Sequence, residues 1–199
     1  MSLRRPEPGT FEAHLRPVRI EVASLLRLSR RPATEPYWSA GVYRFDDPAP
    51  LRADAFGVCY AGSSIDVAFA ESVVHEAGRF VDGNYQVPVA ELTERSVVRF
   101  RHETRKTLVL ADLTGVALKS LGLNNDISAS NDYTVTQAWA RAIHDANPRW
   151  DGIRFVSRQM NKGFAYALFE RSGLVKVSAA KLHTRQIDHL CDRFNVTAT

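Results

Sequence analysis

The stretch FGVCYAGSSIDVAFAESVVHEAG (56–78) restricts the possible folds more than any other part of the chain. It opens as a short apolar strand, FGVCYA (56–61), turns through Gly62-Ser63-Ser64 and continues as a helix that Gly78 closes. Ser63, with Asp66 three residues on, resembles a capping box at the helix start. Helical steps of about 100° place Ile65, Ala68, Phe69, Ser72 and Val73 on one side, and Val67, Glu71 and Val74 on another. Both sides are largely apolar, so the helix is expected to be enclosed over more than half of its circumference. An enclosed glutamate is costly unless a cation or hydrogen bonds meet it. Glu71 is therefore either a structural ion-pair or rim residue, or a group held near a pocket. Glu76 is a rival carboxylate, but it sits near the helix C-terminus, where negative charge is disfavoured.

Around this unit the chain alternates between elements without a regular rhythm. Residues 1–20 mix proline with charge and read as an irregular arm, and EVASLLRLSR (21–30) has Val22, Leu25 and Leu26 at the spacing of a short helix. Pro32 and Pro36 then break any regular element. GVYRF (41–45) reads as a strand ended by DDPAP, and SVVRFRH (96–102) and TLVLADL (107–113) as two more. A helix is expected over 114–121, ending near Gly122, followed by a polar loop, LGLNNDISASNDY. Val135, Ala138, Trp139, Ala142 and Ile143 predict a helix over 133–146, which Asn147-Pro148 stops. DGIRFVS (151–157) and GFAYALF (163–169) look like paired strands, and SAAKLHTRQIDHLCDRF (178–194) like a closing helix or helical turn. The pattern favours a mixed, largely antiparallel α+β fold over a doubly wound one. An arm and short helix occupy 1–40, and one domain occupies 41–199.

Composition narrows the function classes. No run of about eighteen apolar residues exists, so no membrane span is expected. The arginine-containing N-terminus has no apolar core behind it and does not read as a secretory signal. The two cysteines, Cys59 and Cys191, are too few and too far apart for a disulfide framework or a zinc ligand set, so a reducing cytoplasm is the expected location. The net charge of +4 and pI near 9.3 favour an anionic partner. The basic residues are dispersed apart from RLSRR (27–31) and RFRHETRK (99–106), and no groove-reading motif accompanies them, so direct nucleic-acid binding is not expected. GxGxxG, GxxxxGK[ST] and GxSxG are all missing. None of the six histidines falls in HxH, HExxH or beside a CxxC, so no metal is expected.

Four further residues carry chemistry. Strand alternation in GVYRF puts Arg44 on one face with Val42; such an arginine either pairs with a carboxylate, binds a phosphate or snorkels at a sheet edge. Tyr60 ends its strand and by itself reads as a core aromatic. Ser157 reads as a strand-end hydroxyl, and Thr134 as a residue of a helix cap.

Taken in order, VYRF, VCYAGSSIDVAFAE with Tyr60 and Glu71 eleven apart, LGL, NDYTVTQAWA and DGIRFVSR resemble the RES-domain toxins, over roughly residues 41–175. The resemblance implies an ADP-ribosyltransferase-like fold that binds NAD and cleaves its nicotinamide–ribose bond, without a metal. It also implies the toxin of a bacterial toxin–antitoxin pair, neutralised by a cognate Xre-type helix-turn-helix antitoxin. By position Arg44 matches the family arginine, Glu71 its glutamate and Tyr60 the aromatic before the helix. The family hydroxyl falls on Ser157 or Thr134. Members commonly carry a GGRWN-like segment before the second strand, where this chain reads DDPAPLRADAFG and offers Arg52 instead. The acceptor of the ADP-ribose would be water, phosphate or a target protein. A binding module without catalysis, holding an acidic protein or nucleic acid on its basic surface, is the alternative.

Overall fold

The computed structural model describes residues 3–199; the first two residues of the expected arm lie outside that range. The strands in chain order are β1 (Pro17–Glu21), β2 (Leu26–Ser29), β3 (Val58–Gly62), β4 (Arg79–Val81), β5 (Asn84–Val87) and β6 (Ser96–Arg101). They continue with β7 (Thr107–Leu113), β8 (Gly152–Val156), β9 (Phe164–Phe169), β10 (Val175–Lys181) and β11 (Val196–Ala198). Eight of them form one sheet in the order β1-β7-β8-β9-β3-β2-β6-β10. All its pairings are antiparallel except β7 with β8, and β2 meets β3 through the single pair Leu26–Gly62. A second sheet, β11-β5-β4, packs beside it. The architecture is the expected α+β class, a large, mostly antiparallel sheet with flanking helices.

Side-chain alternation sorts the core. Val58, Phe155, Ala165, Ala167 and Phe169 face a cluster capped by Trp139, Ala140 and Ile143 of α6 (Thr134–Ala146) and by Phe11 and Leu15 of the arm. Their intervening neighbours Cys59, Ala61, Tyr166 and Leu168 face a second cluster. Leu108 and Leu110 of β7 share that second cluster with Val98 and Phe100 of β6. Four strands lie between β7 and β6 in the sheet order, so the sheet curls until its two halves stack.

The helix after β3 consists of α1 (Ile65–Phe69), a π turn over Ala70–Val74 and a last turn, α2 (His75–Ala77). Its apolar side packs with Leu28, Val87 and Leu92, and with Leu182 and Leu190 around α7 (Thr184–Phe194). The N-cap is Ser64, whose hydroxyl accepts from the Val67 N–H; Ser63 instead accepts from the Phe164 N–H at 3.1 Å, tying the turn to β9. Glycines let the parts meet: a Cβ on Gly163 would overlap the Val67 side chain, and one on Gly62 would lie 2.9 Å from the Ala68 nitrogen. The remaining helices are α3 (Val89–Thr93), α4 (Gly115–Ser120) and α5 (Asp126–Ala129).

Five regions differ from the sequence expectation. Residues 21–30 form a 3-10 turn (Val22–Ser24) and strand β2 rather than a helix, because Leu26 and Leu28 alternate around Arg27 along a sheet row. The arm ahead of them supplies β1, which pairs along its whole length with β7. GVYRF is not a strand. Gly41 adopts φ +75°, and the buried Asp46 carboxylate accepts from the Val42 and Tyr43 N–H groups at 3.0 and 2.9 Å, wrapping the segment into a turn. The closing segment begins as β10 and becomes helical only at Thr184, and the expected polar loop contains the short helix α5.

Candidate active site

The π turn decides where Glu71 points. It sits between the buried Ala70 and Val73, yet Glu71 itself is only half-buried and lines a cavity of about 830 Å³. The cavity opens between this helix, β2, β3 and the loop that carries Arg44. π turns interrupt regular helices and recur at functional sites. The Glu71 Oε1 accepts from the Ser157 hydroxyl at 2.5 Å and from the Gln159 N–H at 3.4 Å. Ser157 is fully buried, its own hydroxyl oxygen accepting from the Met160 N–H at 3.1 Å. The carboxylate is therefore held in one orientation by a hydroxyl fixed at the end of β8.

Arg44 reaches the cavity from the wrapped loop, not from a strand face. It is 9% exposed, donates to the Ser130 carbonyl at 2.7 Å and lies over the Tyr133 ring at 5.0 Å from its centroid. Burial, with a smaller push from Arg158, lowers its pKa, although a guanidinium stays charged. Tyr60 lines the cavity with its ring edge-on to Tyr43, the centroids 5.7 Å apart. Its hydroxyl accepts from the Phe45 N–H at 2.9 Å and donates to Asp46 at 3.0 Å. Burial and the adjacent Asp46 charge push that phenol well above its usual pKa.

Of the residues singled out from sequence, the structure brings Arg44, Tyr60 and Glu71 to one cavity, with Ser157 bonded to Glu71 from below. It does not bring in the other two. Thr134 is exposed at the start of α6, where its N–H bonds to Asp132. Arg52 is exposed outside the cavity and paired with Asp54 at 2.9 Å.

Several residues of the site were not read from the sequence. Arg27 of β2 lines the cavity, donating from Nε to Glu35 at 2.9 Å and from Nη1 to the Tyr60 carbonyl at 2.8 Å. Its signal was the Leu-Arg-Leu alternation, hidden by the helical reading of that segment. Asp46 is 0% exposed and accepts from Ser39, Val42, Tyr43 and Tyr60, so it fastens the Arg44 loop to β3. Tyr37, Tyr43, Tyr133 and Arg158 complete an aromatic and cationic wall. Fixed carboxylate, buried guanidinium and aromatic rings around one hollow suit a flat, partly anionic ligand in which positive charge develops near Glu71. Among the described residues no cluster of three or more metal-ligating side chains occurs, and no helix is long and apolar enough to cross a membrane.

The RES domain family model matches residues 17–188, beginning upstream of the stretch that first suggested it and so including Arg27. The fold is similar to that of a chain in the crystal structure of the M. tuberculosis MbcT–MbcA toxin–antitoxin complex. The TM-score is 0.58 at 16% identity, covering 90% of this chain and 93% of that one. No curated protein matches the sequence.

Proposed function

The chain belongs to the RES-domain family, and from that premise we propose that it is the toxin of a bacterial toxin–antitoxin pair, acting by cleaving the nicotinamide–ribose bond of NAD. The observation that carries this reading is the Glu71 carboxylate, locked by Ser157 and Gln159 on the wall of a cavity that also presents Arg44 and Tyr60. Rupture of an N-glycosidic bond builds oxocarbenium-like charge on the ribose. A carboxylate already oriented needs no reorganisation to stabilise that charge. Arg44 would give up its carbonyl partner to hold the pyrophosphate, for which a planar fork is suited. The Tyr60 ring, with Tyr43 against it, offers a surface for the cationic nicotinamide. Of the two hydroxyls considered, Ser157 is favoured over Thr134 because it alone touches Glu71.

The partner we propose is a cognate antitoxin of the Xre helix-turn-helix type that covers the cavity mouth in the cytoplasm. The arginines Arg31 and Arg158 on that mouth would steer an acidic segment of it. Water, phosphate or a target protein would accept the ADP-ribose.

Product analysis after incubation with NAD, with and without phosphate and cell lysate, tests the activity. Free ADP-ribose, a phosphorylated product and a labelled protein separate the three acceptors. Glu71→Gln should reduce nicotinamide release by roughly 10²-fold or more, the scale of losing one preorganised electrostatic group. Release that is unchanged in this variant removes Glu71 from the mechanism. A wild type that turns over no NAD, yet binds acidic partners with steep salt dependence, would instead be the binding module.

A further inference from the structure

We propose that Glu76 is a second acid–base carboxylate of this cavity, taking the proton of the acceptor that attacks the ribose. The proposal rests on the NAD-cleaving reading above and names the group that serves the acceptor half of that reaction. Glu76 lines the same cavity as Glu71 and stands five residues further along the same helical segment. In an α-helix, five residues rotate two side chains roughly 140° apart. Between these two lies the π turn, closed by the bond from the His75 N–H to the Ala70 carbonyl, and such a five-residue ring turns positions five apart toward one face. At about 1.5 Å per residue the backbone positions are about 7.5 Å apart along the axis. Carboxylates separated by roughly 6.5–9.5 Å leave room for one water between them in glycosidases that activate a water against a sugar carbon.

The surroundings divide the labour between the two acids. Glu71 is tied down by Ser157 and Gln159, which suits a group that faces a developing cation without reorienting. Glu35 and Glu91, the other acids of the cavity wall, are paired with Arg27 and with Arg95 and Arg30. Among the described residues Glu76 has neither a hydrogen bond nor an ion pair, so its carboxylate is free to accept a proton. The charged groups facing it are Arg95 ahead of β6, Arg27 on β2, His75 on its own helix and Glu91 on α3. Glu76 sits on the exposed side of the cavity wall, and the partial desolvation it meets there outweighs the pull of the two arginines and raises its pKa. A carboxylate of raised pKa is the stronger base.

The step balances as follows. The bond from the ribose C1′ to the nicotinamide nitrogen breaks, and its electron pair leaves with neutral nicotinamide. The oxygen of water supplies the pair for the new C1′–O bond. The proton of that water passes to Glu76 and from there to solvent, giving ADP-ribose, nicotinamide and one proton. Hydrogen phosphate as the acceptor gives up its O–H proton by the same route.

The test is nicotinamide release by the purified full chain and its Glu76→Gln and Glu76→Asp variants, across pH, with water alone and with added phosphate. The expected result for Glu76→Gln is a kcat lower by roughly 10²-fold or more with KM within about threefold, as for loss of a general base. Wild-type kcat should rise with pH as Glu76 loses its proton, a limb that disappears in Glu76→Gln and shifts in Glu76→Asp. Equal losses in both media are expected; a loss confined to one identifies the acceptor whose proton Glu76 takes. Thermal melts check that the variants fold, and if Glu76→Gln does not, the limb shift in Glu76→Asp carries the test. An active wild type with an unaffected kcat in Glu76→Gln, or an acid limb that survives it, overturns this proposal alone. A wild type that releases no nicotinamide overturns the NAD reading and this proposal with it.

Discussion

Removing one oxygen from Tyr60 should loosen the Arg44 loop while leaving the aromatic surface of the cavity in place. In Tyr60→Phe the Phe45 N–H loses its acceptor at 2.9 Å, and Asp46 loses a donor at 3.0 Å. Phe45 and Asp46 are both 0% exposed, so water does not replace either bond in the native packing. An orphaned buried N–H costs about 1–3 kcal/mol, and a hydrogen bond to a charged acceptor contributes about 1.5–3 kcal/mol. Asp46 keeps Ser39, Val42 and Tyr43 as donors, so the two amounts do not simply add. A net loss of about 2–4 kcal/mol is expected. For a chain of this size that corresponds to a melting point lower by about 4–16 °C. Chemical and thermal denaturation measure the loss, and amide exchange at Val42, Tyr43 and Phe45 localises it. A melting point within about 1 °C of wild type with protection at those amides intact would refute the reasoning. If nicotinamide release fell under those conditions, the hydroxyl would be acting on substrate rather than on the loop.

Two other perturbations follow from ion pairs and burial. His144 stacks on Phe56 at 4.1 Å, and burial lowers its pKa from the ordinary 6.5. The unfolded chain then binds this proton more readily than the folded one, so stability should fall as pH drops below about 6.5 toward the lowered value. His144→Phe, which keeps a stacking ring, should flatten that part of a stability–pH profile, and an unchanged slope would count against the assignment. Arg141 on α6 pairs with the fully buried Asp47 at 3.1 Å, with Asp145 at 2.6 Å and with Asp54. Arg141→Ala should lower the unfolding free energy by about 1.5–3 kcal/mol, since Asp47 loses its cation but keeps the Ala49 and Phe56 N–H donors; denaturant melts read the loss, and one below about 0.5 kcal/mol would contradict this.

Where the hydrophobic period was strong, sequence and structure agree: the strand–turn–helix unit at 56–78, the helix over 134–146 and the strand pair 152–156 with 164–169. Elsewhere polar anchors and sheet pairing override the local pattern. GVYRF has the alternation of a strand, but five residues after Gly41 comes an aspartate whose carboxylate collects two backbone amides and curls the chain. Asp46 and Asp47, which in sequence only open the loop after GVYRF, are fully buried anchors whose partners include Tyr60 and Arg141. Val22, Leu25 and Leu26 have helical spacing, yet Leu26 and Leu28 belong to a sheet row, and that misreading hid Arg27. The Glu71–Ser157 contact was not legible: the family resemblance leaves its hydroxyl between Ser157 and Thr134, and no local pattern predicts that residues so distant will meet.

The pairing at the middle of the sheet also sets a clock. The two halves of the candidate site reach each other only when β9 lies beside β3, and Ser157 follows Glu71 by 86 positions. A ribosome adding roughly 5–20 residues per second takes about 4–17 s to cover that gap. Throughout this interval the nascent chain carries the glutamate but not the serine that aims it, nor the neighbouring strand against which its helix rests. Translation stalled there leaves a fragment with no assembled hollow, so the topology sets the order in which the site can form.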